Sequence, residues 1–189
     1  MHDEMKLTRK ERLILWNQCA ILEALKPEDG EYYRKLQDIL RNGFEFDYDE
    51  LWRHIDSDVF SEAEAREVLD ILSMFEAVQD SIGAKGKVEG VEEARLTFAG
   101  FDGNEEADHL AYLTFLVDQQ KKFEHVVRQR NSHVPLLGHY RGMLKRYKEF
   151  GSPERMSTEQ IKSMASAPPF AIRKRQGSES GGSFRIPGY

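Results

Sequence analysis

The chain has 189 residues, 40% hydrophobic and 32% charged, with a net charge of −6. That is a globular balance, long enough to bury a proper core without disulfides or a structural metal. Cys19 is the lone cysteine, which excludes a disulfide framework, and the longest apolar run, Leu110 to Val117, is far too short to span a bilayer.

Residues 1–10 are charged and hold no apolar signal core, so the expectation is a soluble protein of the reducing cytoplasm with no membrane association. Charge is uneven. Arg173, Lys174, Arg175 and Arg185 against Glu179 give residues 168–189 a charge of +3, so residues 1–167 carry −9 of the total −6. An acidic body repels phosphate backbones, which makes nucleic acid an unexpected partner.

In chain order, Thr8 with Glu11 forms a capping box that opens a helix running to about Leu25, where Pro27 ends it. Its apolar residues spread from Leu13 to Leu25 over more than one stripe, predicting burial on two sides. A second helix follows to Arg41 and stops at Asn42-Gly43, a left-handed end signal. Asp47 starts a short third helix anchored by Leu51, Trp52 and Ile55. Ser61 with Glu64 caps the fourth, where Ala65, Val68, Leu69, Leu72, Phe75 and Val78 recur at helical spacing.

Residues 83–90 form a glycine- and lysine-bearing loop. Asn104 then caps a long fifth helix to about Val127, whose middle is apolar all round except Thr114. Such a helix is central or lies in a subunit interface, so Leu110, Leu113, Phe115, Leu116 and Val117 are interface candidates in a homo-oligomer. Pro135 opens a sixth helix to about Phe150, and Ser157 to Gln160 opens a last one ending near Ala165. The expectation is an all-α, multihelical single domain of about seven helices over residues 1–167. A disordered basic tail rich in Gly, Ser and Arg follows over 168–189.

Four segments carry a family resemblance: Glu11–Gln18 (ERLILWNQ), Tyr32–Gly43 (YYRKLQDILRNG), Val68–Ala77 (VLDILSMFEA) and Arg95–Asp102 (RLTFAGFD). With Asn131, Pro135, Tyr140, Met143 and Leu144 they resemble the YfbU family of bacterial proteins, over about Leu7 to Ala165. The resemblance implies a multihelical, cytoplasmic, self-associating protein. It implies no activity and no catalytic residue.

Four constellations bear on chemistry. Asp47 to Ile82 has the lengths of a helix-turn-helix, but Glu62, Glu64, Glu67 and Asp70 against Arg66 make its second helix too acidic to approach DNA. Asp102, Glu105 and His109 are candidate metal ligands, since Glu105 and His109 stand one helical turn apart; the structural alternative is that Asp102 and Asn104 organise a helix start. Arg128 and His133 match the R-x4-H spacing of HEPN-type ribonucleases, in which Arg steadies a phosphate and His moves a proton. Pro135 places that pair in a loop, which weakens the match. Gly83 to Lys87 has the wrong spacing for a phosphate-binding loop.

Cys19 reads as an inert core thiol, and Trp16, Trp52, Phe75 and Phe115 as core or interface aromatics. No cofactor is implied. The leading expectation is a self-associating helical binding or regulatory protein without a catalytic set. The alternative is a HEPN-like ribonuclease or a metal-dependent hydrolase using these Arg/His or Glu/His groups.

Overall fold

A computed structural model describes residues 6–53, 55, 58–83 and 87–169. Six α-helices and three 3-10 segments are present among them, with no strand beyond one isolated bridge. The chain divides into two compact units, Met1–Val59 and Phe60–Tyr189.

The first unit is a helical hairpin of α1 (Arg9–Leu25) and α2 (Gly30–Asn42). The capping box at Thr8 forms as expected: its hydroxyl accepts from the Glu11 N–H, and the Glu11 carboxylate accepts the Thr8 N–H at 2.7 Å. Gly43 ends α2 at φ 71°, the left-handed conformation that favours glycine. Arg12 donates to the Leu40 carbonyl at 3.1 Å, and Arg34 reaches Glu23 at 3.1 Å, so the two helices run antiparallel.

The expected third helix is a 3-10 segment, Glu45–Trp52, which folds back to bury Tyr48. Its anchors do not share one face, and the shorter 3-10 repeat lets Tyr48 reach the core of Cys19, Leu36, Ile39 and Leu40. Burial of α1 on two sides is corrected here. Only Cys19 of that helix is buried, because α2 covers one face and the other is left to solvent.

The second unit is built on α3 (Glu62–Ile82), α4 (Ala107–Asp118), α5 (Leu137–Glu149) and α6 (Thr158–Ala165). Ser61–Glu64 and Ser157–Gln160 close the boxes that open α3 and α6. Val68, Ile71, Leu72, Phe75 and Val78 form the buried stripe of α3, against which α4 and α5 pack.

α4 ends at Asp118, well before the expected Val127. Lys121 and Phe123 take positive φ, and the Lys122 N–H turns back to the Leu116 carbonyl at 3.0 Å. The turn lets Phe123, Val126 and Val127 pack on the core from an irregular segment. No helix among the described residues is long and apolar enough to cross a membrane. The basic tail lies outside the described residues from 170 onward.

Candidate functional site

Residues 95–109 bring the most chemistry together, and they do so from inside the second unit. Leu96, Phe98 and Phe101 are fully buried. Phe98 and Phe101 meet Tyr140, with ring centres 5.4 and 5.9 Å apart, and Phe75 closes the cluster 5.3 Å from Tyr140. The Tyr140 hydroxyl accepts the Ala99 N–H at 3.1 Å and donates to the Gly100 carbonyl at 3.1 Å. Burial pushes that hydroxyl well above the ordinary tyrosine range, so it stays protonated and serves as a fixed hydrogen-bonding post.

Gly100, at φ 94°, lies so close to the Arg130 carbonyl that a side chain has no room. That approach lets the Phe101 N–H donate to the Arg130 carbonyl at 2.9 Å and the Phe101 carbonyl accept from Ser132 at 3.1 Å. The result is a parallel bridge between Phe101 and Asn131. Arg95 at the start of the block donates to the Ala165 carbonyl at 2.6 Å, at the end of α6.

The predicted metal ligands part company at the next turn. Asp102 is buried, and its carboxylate accepts the N–H groups of Asn104 at 3.2 Å and Glu105 at 2.8 Å. It organises the turn that leads into α4, the structural alternative weighed for it; Asn104 does not cap the helix, whose N-cap position is Glu106. Glu105 is exposed. His109 is buried edge-on to Phe60, with centres 5.3 Å apart, and beside Phe101 at 5.5 Å. No cluster of three or more His, Cys, Asp or Glu among the described residues is placed to hold a metal.

His109 meets a different set of groups. Its Nε2 stands 3.6 Å from a Glu67 carboxylate oxygen, too long for a hydrogen bond, and has no partner of its own. Arg141 grips the same carboxylate bidentately, from Nε at 2.7 Å and Nη2 at 2.6 Å. Burial by itself would raise the Glu67 carboxyl, but His109 and Arg141 beside it hold it down to about 2. A carboxylate so firmly ionised is a poor proton donor near neutral pH. Glu106, also buried, ties Asp102 to the start of α5 by accepting the Asp102 N–H at 2.9 Å and the Leu137 N–H at 2.6 Å.

Glu67, Glu106 and Arg141 escaped sequence reasoning. Glu67 sat in what read as a solvated acidic face, yet it is half-buried and paired, and Asp70 beside it meets Lys148 of α5. Only the fold joins Glu67 to Arg141, so no local pattern marks either one.

Arg128 and His133 both have exposed side chains, and His133 takes φ 57° in the loop that Pro135 implied. Asn131 between them is occupied structurally, its carboxamide oxygen accepting from Gly103 at 3.3 Å and His133 at 2.9 Å. His125 instead meets Glu76 at 2.8 Å, and His139 lies against Arg95.

Among the predicted interface residues, Leu113, Leu116 and Val117 are in the core and Leu110 packs against it; Phe115 is 45% exposed. The all-round apolar helix is therefore central, the first of the two placements foreseen for it. Several large apolar side chains are exposed on α1, where Leu13, Ile14, Ile21 and Leu25 are between 51% and 72% exposed; Phe44, Phe46 and Val59 are exposed beyond it.

Two open recesses flank the hairpin. One, of about 410 Å³, is lined by Arg9, Arg12, Leu13, Trp16, Leu40 and Arg41. The other, of about 650 Å³, reaches Cys19, whose thiol burial pushes up and keeps protonated. That supports the inert reading of Cys19.

The family model described as YfbU domain matches residues 5–167. The chain belongs to the YfbU family. Among its relatives is UPF0304 protein MJECS11 of Methanocaldococcus jannaschii, 39% identical over 147 residues, covering 74% of this chain and 86% of that protein. An archaeal relative carries the YfbU family beyond the bacteria to which the resemblance assigned it. The YfbU match spans both compact units, and buried contacts of the second unit converge on its Arg95–Asp102 block.

Proposed function

We propose that this YfbU-family chain is a non-enzymatic, self-associating binding or regulatory protein of the cytoplasm. The observation that carries the reading is the outer face of α1. Five large apolar side chains, Leu13, Ile14, Ile21, Leu22 and Leu25, are 37–72% exposed on one helix of 17 residues. Apolar side chains scattered singly over a surface need no explanation, but a contiguous set on one helix marks a surface that is covered in use.

The polar groups of the second unit support the non-enzymatic part. Glu67, Arg141, Glu106 and Asp102 spend their hydrogen bonds on one another and on backbone groups, as structural networks do. A single buried thiol fits a reducing compartment.

Light scattering on the purified full chain at micromolar concentration tests the reading. A mass of at least twice 21.9 kDa is expected. A monomer across that range overturns it.

A further inference from the structure

The outer face of α1 has an order to it. At about 100° per residue, Lys10, Ile14, Asn17, Ile21 and Leu25 fall within an arc of about 80°, on the side opposite buried Cys19, with Leu13 and Ala24 at its edge. The stripe is basic at its start, apolar through its middle except at Asn17, and followed beyond Lys26 by exposed Glu28 and Asp29 in the 3-10 turn Pro27–Asp29. We infer that this face pairs antiparallel with the same face of a second copy, about a two-fold axis near the level of residue 19. The inference rests on the self-association proposed above and specifies its geometry.

A two-fold interface sets residue i against j and j against i. Centred on residue 19, an antiparallel pair sets Ile14 against the partner's Ala24, Ile21 against the partner's Asn17, and Lys10 near the partner's Glu28, with Leu13 and Leu25 flanking on opposite edges. Apolar side chains cover the middle from both helices, and Lys10 meets an acid at both ends. A parallel pair would stack lysine on lysine and glutamate on glutamate, which is repulsive.

The charges of α1 carry a second, independent sign of the same partner. They oppose the helix's own dipole: Arg9, Lys10 and Arg12 crowd the positive N-terminal end around a single acid, Glu11, and the last turn holds no base. An antiparallel copy brings Glu28 and Asp29 to that N-terminus and Lys10 to the opposite end. What is unfavourable in one helix becomes complementary in two.

Cysteine pairing in the full chain tests this. In a Cys19→Ala background, Ile14→Cys with Ala24→Cys puts two thiols about 15 Å apart along one helix, beyond the reach of an intrachain disulfide. Mild oxidation should convert most of that double variant to a covalent dimer and leave Ile14→Cys alone largely monomeric. Equal crosslinking of the single variant, or none of the double variant in a protein whose native form is dimeric, overturns the antiparallel pairing while self-association stands. A native chain that is monomeric overturns both.

Cys19→Ala removes one buried sulfur from the core of the first unit, so a charge swap at exposed positions, made with Cys19 in place, gives a second readout. Lys10→Glu should weaken the dimer at least about tenfold, and Lys10→Glu with Glu28→Lys should restore it. Failure of the double swap to restore affinity counts against the pairing.

Discussion

The two compact units reach stability by different routes. Among the described residues, the first buries Cys19, Leu36, Ile39, Leu40 and Tyr48 as its apolar core. The second centres α3 in a continuous core and laces it with buried polar groups, from Tyr140 under Gly100 to Glu106 under α5. Each begins its first helix with a complete capping box, so that local start signal is equally good in both. They differ in how much of each helix is covered. A cap sets where a helix begins, but burial supplies most of its stability. A unit of about 60 residues with so small a core is marginal unless its open face is occupied.

Truncation experiments can break this comparison. Phe101→Ala should cost the most, about 3–5 kcal/mol, because Phe101 is fully buried at the junction of the aromatic cluster and the Asn131 bridge. Ile21→Ala on α1 should cost under about 0.5 kcal/mol in dilute protein, since the side chain faces solvent in a single chain. Urea denaturation of the two variants at nanomolar concentration measures the contrast. A loss above about 2 kcal/mol at Ile21 would mean that the chain covers its own α1 face.

Next in size is Arg141→Ala, at about 2–3 kcal/mol, because it strands the half-buried Glu67 carboxylate. The pH dependence follows from the depressed Glu67. A carboxyl held at about 2 when folded, against an ordinary 4.5, contributes stability that is present above pH about 4.5 and lost as pH falls toward 2. Glu67→Gln should therefore flatten that part of the acid-unfolding curve, and an acid limb identical to that of the native chain would argue against the pairing.

Smaller again, though above the Ile21 change, is Tyr140→Phe, at about 1–2 kcal/mol, which leaves the Ala99 N–H and the Gly100 carbonyl without their shared post. Amide exchange at Ala99 should quicken in that variant.

How far each feature could be read from the sequence depended on the distance over which it is decided. The boxes at Thr8, Ser61 and Ser157 and the stop at Gly43 are set by residues three or four apart, and each formed where its residues stand. Cys19 sat among apolar neighbours and is buried.

The end of α4 was not readable. Phe123, Val126 and Val127 continue a helical pattern on paper, while tertiary packing turns the chain after Asp118 and Arg130 closes on that aspartate. The polar cluster lay further out of reach. Glu67 and Arg141 are 74 positions apart, and every cue around Glu67 favoured a wet surface. Asp102 and His109 drew notice for the wrong reason, since proximity in sequence resembles a ligand set whether or not the side chains converge.

Cys19 gives the molecule a built-in reporter. It is the only thiol in the chain and sits in the core of the first unit. A thiol-specific reagent therefore reports on access to that core, through the recess or through opening of the hairpin, and is blind to fluctuations confined to the second unit. The labelling rate in the native sequence, followed against protein concentration, reads out how firmly the hairpin is held shut and whether association holds it tighter, without a fluorophore, a tag or a mutation.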